Sequence, residues 1–447
     1  MLNRSRADGD APAVKALREP SPAPGVSVAR TLLIPVVLFA VAHLALLAGI
    51  TTPSKFVFDE VHYVPAARQM LEPVMPEPML NPMHPPLAKQ LIALSIRAFG
   101  DNPLGWRYPG ALFGALAVVA VYLCGLVLFE AQAPAIAAAL LAFFNQMLFV
   151  VARTAMLDIF ALTFALFGIA AFLKGFGEPR PQRWFAPAGL AFGLSAACKW
   201  SGLFPLATAI VIVAATRLLQ GWRTQFADAR DSDWYRPDRW PEFGPAHFAV
   251  CFVLAPAIAY LVPFVVLDGF SPAALIEAQR RIFVDNTTST LGTHTYASTW
   301  PSWPFLMRPV WFLFDKTSDE EIAAVVLLGN PVLLWSALVA VLITLRDVVV
   351  ARRADAFLIL SFYTGPYLTW ALLPRTLGFL YYYLPSATFA SLALVYTLLR
   401  PNMPRWTLWA FVAIAGAAFV MMLPVSAAFV GTSMAIFSRL MIFQSWI

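Results

Sequence analysis

The chain has 447 residues, of which 60% are hydrophobic and 13% charged, and its mean hydropathy is +0.70. A soluble domain carries roughly a quarter charged residues, so this composition excludes that class and points to a polytopic membrane protein. The net charge of +6 does not indicate nucleic acid. Its basic residues fall in short runs between apolar segments, with no stripe on one domain, and read as topology signals.

In chain order, residues 1–30 are polar and rich in Pro and Ala, and are expected to form a disordered cytoplasmic tail without a cleavable signal. Residues 31–447 read as a single transmembrane domain. Crossing hydrocarbon as a helix takes ~20 apolar residues. Such windows lie at 31–50, 108–129, 134–151, 157–173, 184–198, 201–216, 246–267, 322–345, 356–373, 377–399 and 406–428, about eleven helices in all. Their unbroken runs of Ala, Leu and Phe exclude an outer-membrane barrel, so the expected class is an all-α polytopic membrane protein. The windows 184–198 and 201–216 are short for full spans.

Counting every window puts the basic clusters on one side: the amino-terminal tail, Lys174 to Arg183, Arg217 to Arg239, Arg346 to Arg353 and Arg400 to Arg405. That side is expected to be cytoplasmic. The loop 51–107, the loop 268–321, Pro374-Arg375-Thr376 and the carboxyl terminus then face outward. Dropping one short window would invert every later loop. Cys124, Cys198 and Cys251 have no metal-ligand spacing and read as small buried hydrophobes.

Chemistry concentrates in the first outward loop, at Phe58-Asp59-Glu60-Val61-His62-Tyr63 and Asn81-Pro82-Met83-His84-Pro85-Pro86-Leu87-Ala88-Lys89. A carboxylate pair at a membrane surface can deprotonate a hydroxyl, bind a cation or relay a proton. The bland alternative is that Asp59 and Glu60 cap a loop helix starting near Val61. His62 and His84 fit no metal-ligand spacing with the carboxylates, and a lone loop histidine is usually structural. Other outward helix ends carry Arg107, Arg153, Asp158, Lys199 and Arg375, a set suited to an anionic lipid headgroup. For Lys199, Trp200 and Tyr381-Tyr382-Tyr383 an ordinary interfacial belt is the competing reading.

Five segments, taken together, resemble the polyprenyl-phosphate-mannose protein O-mannosyltransferases, bacterial type. They are Phe58 to Tyr63, His84 to Lys89, Trp106-Arg107-Tyr108-Pro109, Ala152 to Asp158, and Cys198-Lys199-Trp200-Ser201-Gly202-Leu203-Phe204. Trp300-Pro301-Ser302-Trp303-Pro304, Arg308 to Trp311 and Leu328-Gly329-Asn330-Pro331 extend the likeness to about residue 400. The resemblance implies a GT-C type helical bundle with a structured first extracytoplasmic loop. It also implies an inverting transfer of mannose from a polyprenyl-phosphate donor to Ser or Thr hydroxyls of secreted or membrane proteins. By position it makes Asp59 the base and Glu60 an acceptor-positioning or supporting residue. Arg107, Arg153, Lys199 and Arg375 become cations for the donor phosphate or anchors for the loop, and His62, His84 and Asp158 acceptor-side or structural supports.

Eukaryotic members carry a soluble domain in a later outward loop, and 268–321 is too short to hold one. The alternatives are transfer of another lipid-linked sugar to a lipid or glycan, and a lipid-linked sugar transporter. Ionisable residues cluster at the outward boundary and not at mid-membrane, which weighs against the transporter. No cofactor is certain; Asp59, Glu60 and phosphate oxygens together could hold one hard cation such as Mg or Mn. The expected location is the inner (plasma) membrane, with the amino terminus cytoplasmic and the active site extracytoplasmic.

Overall fold

The computed structural model describes residues 28–72, 79–225, 240–287, 294–373, 377–428 and 432–447. Each of the eleven apolar windows holds a helix or a pair of helices. Helix α1 is Val28–Leu47, so residues 28–30 of the expected tail are helical; the rest of the tail lies outside the described residues. The first loop carries two helices, α2 (Glu60–Gln69) and α3 (Leu87–Phe99). Then come α4 (Pro103–Phe129), α5 (Gln132–Phe143), α6 (Gln146–Ala152), α7 (Leu157–Phe176), α8 (Gln182–Cys198) and α9 (Leu203–Gln225). After these follow α10 (Pro245–Ala249), α11 (Ala255–Asp268) and α12 (Pro272–Thr287). The carboxyl-terminal part supplies α13 (Pro331–Val349), α14 (Ala354–Leu372), α15 (Leu384–Leu398), α16 (Trp406–Ser426) and α17 (Met434–Leu440). Among the described residues six helical segments are long and apolar enough to span a membrane, and α5 with α6 makes a seventh if the bent pair is one span.

Local chemistry explains the boundaries. Asn102 accepts from the Leu104 and Gly105 amides at 3.0 and 3.2 Å and Pro103 fills the first turn, so α4 starts beside the loop it must hold. The chain bends by 66° between α5 and α6, where Asn145 caps Met147. The carbonyl freed at Phe144 is taken by the Asn330 amide, which also reaches Ala415 O, both at 2.9 Å. A bend inside a bundle needs such a partner, because unsatisfied backbone is costly there. Helices α8 and α11 approach closely at Gly193, where a Cβ would stand 2.3 Å from Pro256 O.

Two parts of the expected pattern are corrected. The window 322–345 begins as a strand: β1 (Val310–Lys316) and β2 (Glu321–Leu327) pair antiparallel, and a short β3 (Thr432–Ser433) adds to β2. The apolar run Ile322 to Leu328 is buried on both faces, so length and hydropathy made it look like the start of α13. Residues 377–399 open with a 3-10 turn, Leu380–Tyr383, before α15. The sheet lies against the first loop: Lys55 pairs with Asp315 at 2.7 Å, and Phe312 stacks on Phe58 at 4.5 Å.

Candidate active site

Helix α2 begins between the two carboxylates. Asp59 occupies its N-cap position, yet its side chain makes no capping hydrogen bond. Phe58, just before it, has a φ of 44°, a left-handed conformation unusual for a bulky residue. Stacking on Phe312 and edge contacts to Phe379 and Tyr381 hold that ring. The turn sends Asp59 and Glu60 in different directions.

Glu60 is fully buried. Its Oε1 accepts from Arg107 Nε at 2.8 Å and the Ala155 amide at 2.9 Å; its Oε2 accepts from Arg107 Nη2 and the Val57 amide, each at 2.9 Å. Arg107, 1% exposed, gives its remaining N–H groups to the carbonyls of Ile50, Pro53 and Lys55. All five guanidinium donors are therefore engaged inside the protein. Of the two roles expected for each residue, acceptor positioning by Glu60 and phosphate binding by Arg107 do not fit; loop anchoring does. Arg153 likewise faces inward, donating from Nη1 to Leu46 O and Ala48 O at 2.6 Å and lying over Phe149. It fastens the end of α1.

Asp59 points the other way. Its Oδ2 accepts from Tyr63 Oη at 3.0 Å, one helical turn on. Burial pushes its carboxyl above the usual carboxylate range, a shift opposed by the charge of Lys199 and the Tyr63 hydrogen bond. Burial also holds the Tyr63 hydroxyl well above the usual phenol value, so it stays a donor. Lys199 binds both oxygens of Asp158 at 2.9 Å and sits 5.3 Å from the ring centres of Tyr381 and Tyr382. A cleft of about 450 Å³ lies alongside, lined by Asp158, Tyr381, Tyr382, Ser201 and Trp370. Asp59, Tyr63, Asp158, Lys199 and the two tyrosines thus form one electrostatic group drawn from four separate segments. The tyrosines are buried, which an interfacial belt would not be.

Beyond Tyr63 lies a second cavity of about 900 Å³, which Lys89 and His84 share with Phe264, Leu267 and Arg281. His84 meets the Tyr63 ring edge-on at 5.9 Å, linking the two spaces. Lys89, 1% exposed on α3, donates to Asn81 O and His84 O, both at 2.8 Å. Burial lowers its ammonium to about 7. Two long-range bonds frame this cavity, Gln90 to Pro263 O and Asn286 to Met83 O, each at 2.8 Å. Lys89 was legible only as part of a motif; a lysine five residues after a loop histidine gives no sign that both share one cavity.

His62 is exposed, close enough for its charge to act on Asp59. Arg375 lies outside the described residues. Among the described residues no three His, Cys, Asp or Glu side chains gather as a metal cage would require. Both oxygens of Glu60, expected to share a cation with Asp59, already accept two hydrogen bonds each.

Two family models match the chain. Residues 83–227 match dolichyl-phosphate-mannose-protein mannosyltransferase, and residues 272–446 match the C-terminal four-transmembrane region of protein O-mannosyltransferase. Polyprenol-phosphate-mannose protein mannosyltransferase of Mycolicibacterium smegmatis is 29% identical, with 77% of each chain covered. The chain is also similar in fold to the Saccharomyces cerevisiae protein O-mannosyltransferase complex bound to the sugar donor, with a TM-score of 0.74 at 15% identity over 97% of this chain and 94% of that one. ArnT of Cupriavidus metallidurans bound to undecaprenyl phosphate shares the fold at a TM-score of 0.56 and 15% identity, over 89% of this chain and 71% of that one.

Proposed function

This chain belongs to the protein O-mannosyltransferase family, and from that premise we propose that Asp59 is the general base of an inverting mannosyl transfer to protein. The donor is a polyprenyl-phosphate mannose and the acceptor a Ser or Thr hydroxyl. The observation that carries this reading is the contrast inside the acidic pair: Glu60 is enclosed, whereas the Asp59 side chain, among the described residues, is hydrogen-bonded by Tyr63 alone and feels the charges of Asp158 and Lys199 beside the cleft.

A neutral hydroxyl is a weak nucleophile, and a carboxylate within hydrogen-bond reach removes its proton as the bond to carbon forms. Burial makes Asp59 a stronger base than a solvated aspartate. The acceptor oxygen attacks C1 of the mannose, the C1–O bond to phosphate breaks, and the electron pair leaves with polyprenyl phosphate. One attack from one face inverts the anomeric carbon. Lys89 and Arg281 are the cations of the second cavity that meet the departing phosphate, and Phe264 and Leu267 offer the polyprenyl chain an apolar wall. Lys199 is held by Asp158 and sets the field at Asp59.

The Asp59 end faces the extracytoplasmic side of the inner (plasma) membrane and the amino terminus the cytoplasm, a reading supported by the Lys and Arg clusters between helices. With both oxygens of Glu60 and of Asp158 already paired, Asp59 is the carboxylate that would hold a divalent cation with the donor phosphate. Activity lost in a chelator and restored by magnesium or manganese is the result that would add a metal.

The test is transfer of radiolabelled mannose from polyprenyl-phosphate mannose to a Ser/Thr-rich peptide by wild type and Asp59→Asn. Labelling by wild type and none by a folded Asp59→Asn supports the assignment. Equal labelling by both removes Asp59 as base, and labelling of lipid in place of peptide moves the acceptor to another class.

A further inference from the structure

A second group of charges surrounds a cavity of about 880 Å³ that the transfer does not use. Helix α15 separates the two sites: its first turn follows Tyr383, and its last lies next to Arg400, 15 residues or ~22 Å later. The cavity is therefore on the membrane face opposite Asp59. Asp347, 5% exposed, accepts from Tyr396 Oη at 2.9 Å, from Arg346 Nη1 at 3.0 Å and from Arg400. Arg353 forks onto Asp355 and lies 5.5 Å from the Tyr396 ring centre.

Three guanidiniums and two carboxylates line this space, so the group carries a net charge of +1. Arg346 and Arg400 each give one N–H to Asp347, and among the described residues their other donors have no partner. The remaining wall is apolar, formed by Leu128, Phe129, Pro134, Leu399 and Pro401. Arginines that serve only to orient a membrane protein need no cavity and no buried aspartate to aim them. A set of aimed guanidiniums beside a hydrocarbon wall has the chemistry of a lipid phosphate site.

We propose that this cavity binds the phosphate of an anionic phospholipid in the leaflet opposite the catalytic cleft. The phosphate meets Arg346, Arg353 and Arg400, and the acyl chains lie along Leu128, Phe129 and Leu399. A lipid is favoured over a soluble phosphate by the apolar wall and by the position at the ends of spanning helices.

The experiment is native mass spectrometry of the delipidated full chain with dioleoyl phosphatidylglycerol, dioleoyl phosphatidylcholine or inorganic phosphate. Phosphatidylglycerol should be retained about tenfold better than phosphatidylcholine, and the Arg346→Gln, Arg353→Gln double variant should lose that preference. Equal retention of the two lipids, or an undiminished preference in the double variant, overturns the proposal. Inorganic phosphate that displaces phosphatidylglycerol at equal concentration overturns the lipid source and assigns the site to a soluble phosphate compound. Should the double variant not fold, wild type is labelled with phosphatidylglycerol carrying a photoreactive headgroup. Crosslinks within 346–355 and 396–401 support the site, and crosslinks only elsewhere overturn it.

Discussion

Asp59 and Glu60 are neighbours with the same functional group, yet the fold gives them opposite surroundings. Glu60 is enclosed by Arg107 and two backbone amides, with no acceptor capacity left for a substrate. Asp59 has one hydroxyl partner and a lysine at a distance. The difference teaches that in a buried acidic pair the better hydrogen-bonded member holds the loop, and the poorly satisfied one is available for chemistry.

The comparison breaks most sharply on substitution at the pair itself. Asp59→Asn should keep its fold and lose about a hundredfold to ten-thousandfold in kcat, the range that a general base supplies. Unfolding temperatures and single-turnover rates on the same preparation would decide it; a variant with wild-type kcat denies Asp59 the role. Glu60→Gln and Arg107→Gln should instead fail in stability, by about 3–5 kcal/mol each, because one partner of a buried pair is left alone. Their thermal unfolding in detergent should fall together, and a Glu60→Gln as stable as wild type would mean the anchor reading is mistaken.

The Asp158–Lys199 pair sharpens the comparison at intermediate strength. Its side chains are 10% and 7% exposed, so removing either partner should hurt more than removing both. A double-mutant cycle on kcat with Asp158→Asn and Lys199→Met should give a coupling of about 1–3 kcal/mol. Additive effects would place the two residues in separate roles.

The smallest effects are those of pH. Asp59 is raised above its ordinary 3.8, so it takes up a proton at a higher pH than a free aspartate and loses base function as pH falls through that raised value. The acidic limb of the kcat/KM profile should therefore lie above the free aspartate range, and Lys199→Met should move it higher still. Lys89 is lowered to about 7, so its charge is present below that pH and lost above it. Donor KM should rise several-fold as pH passes through about 7, and Lys89→Met should flatten the change; a KM independent of pH in wild type would remove Lys89 from the donor site.

Much of the molecule was legible because membrane insertion imposes a simple code. Each of the eleven apolar windows fell on a helix or a pair of helices, though among the described residues only six segments, or seven with the bent pair, are long and apolar enough to span a membrane, and the cluster at Asp59 marked the loop. What failed did so for identifiable reasons. Ile322 to Leu327 lies in a buried strand whose hydropathy matches that of a helix. Tyr381 and Tyr382 had the composition of an interfacial belt, but the 3-10 turn before α15 turns them onto Lys199. Lys89 showed no sign of its cavity until α12 closed over it.

The sequence by itself determined the class, the number of apolar segments, the family resemblance and the acidic pair, since each depends on residue type and on spacing along the chain. The tertiary structure alone decided which carboxylate is enclosed, which cations are already engaged and where the cleft and the two cavities open. Those properties depend on burial and on hydrogen-bond partners far apart in the chain, 95 residues in the case of Glu60 and the Ala155 amide. The chain carries both groups, but only packing brings one to the other and leaves Asp59 beside the cleft.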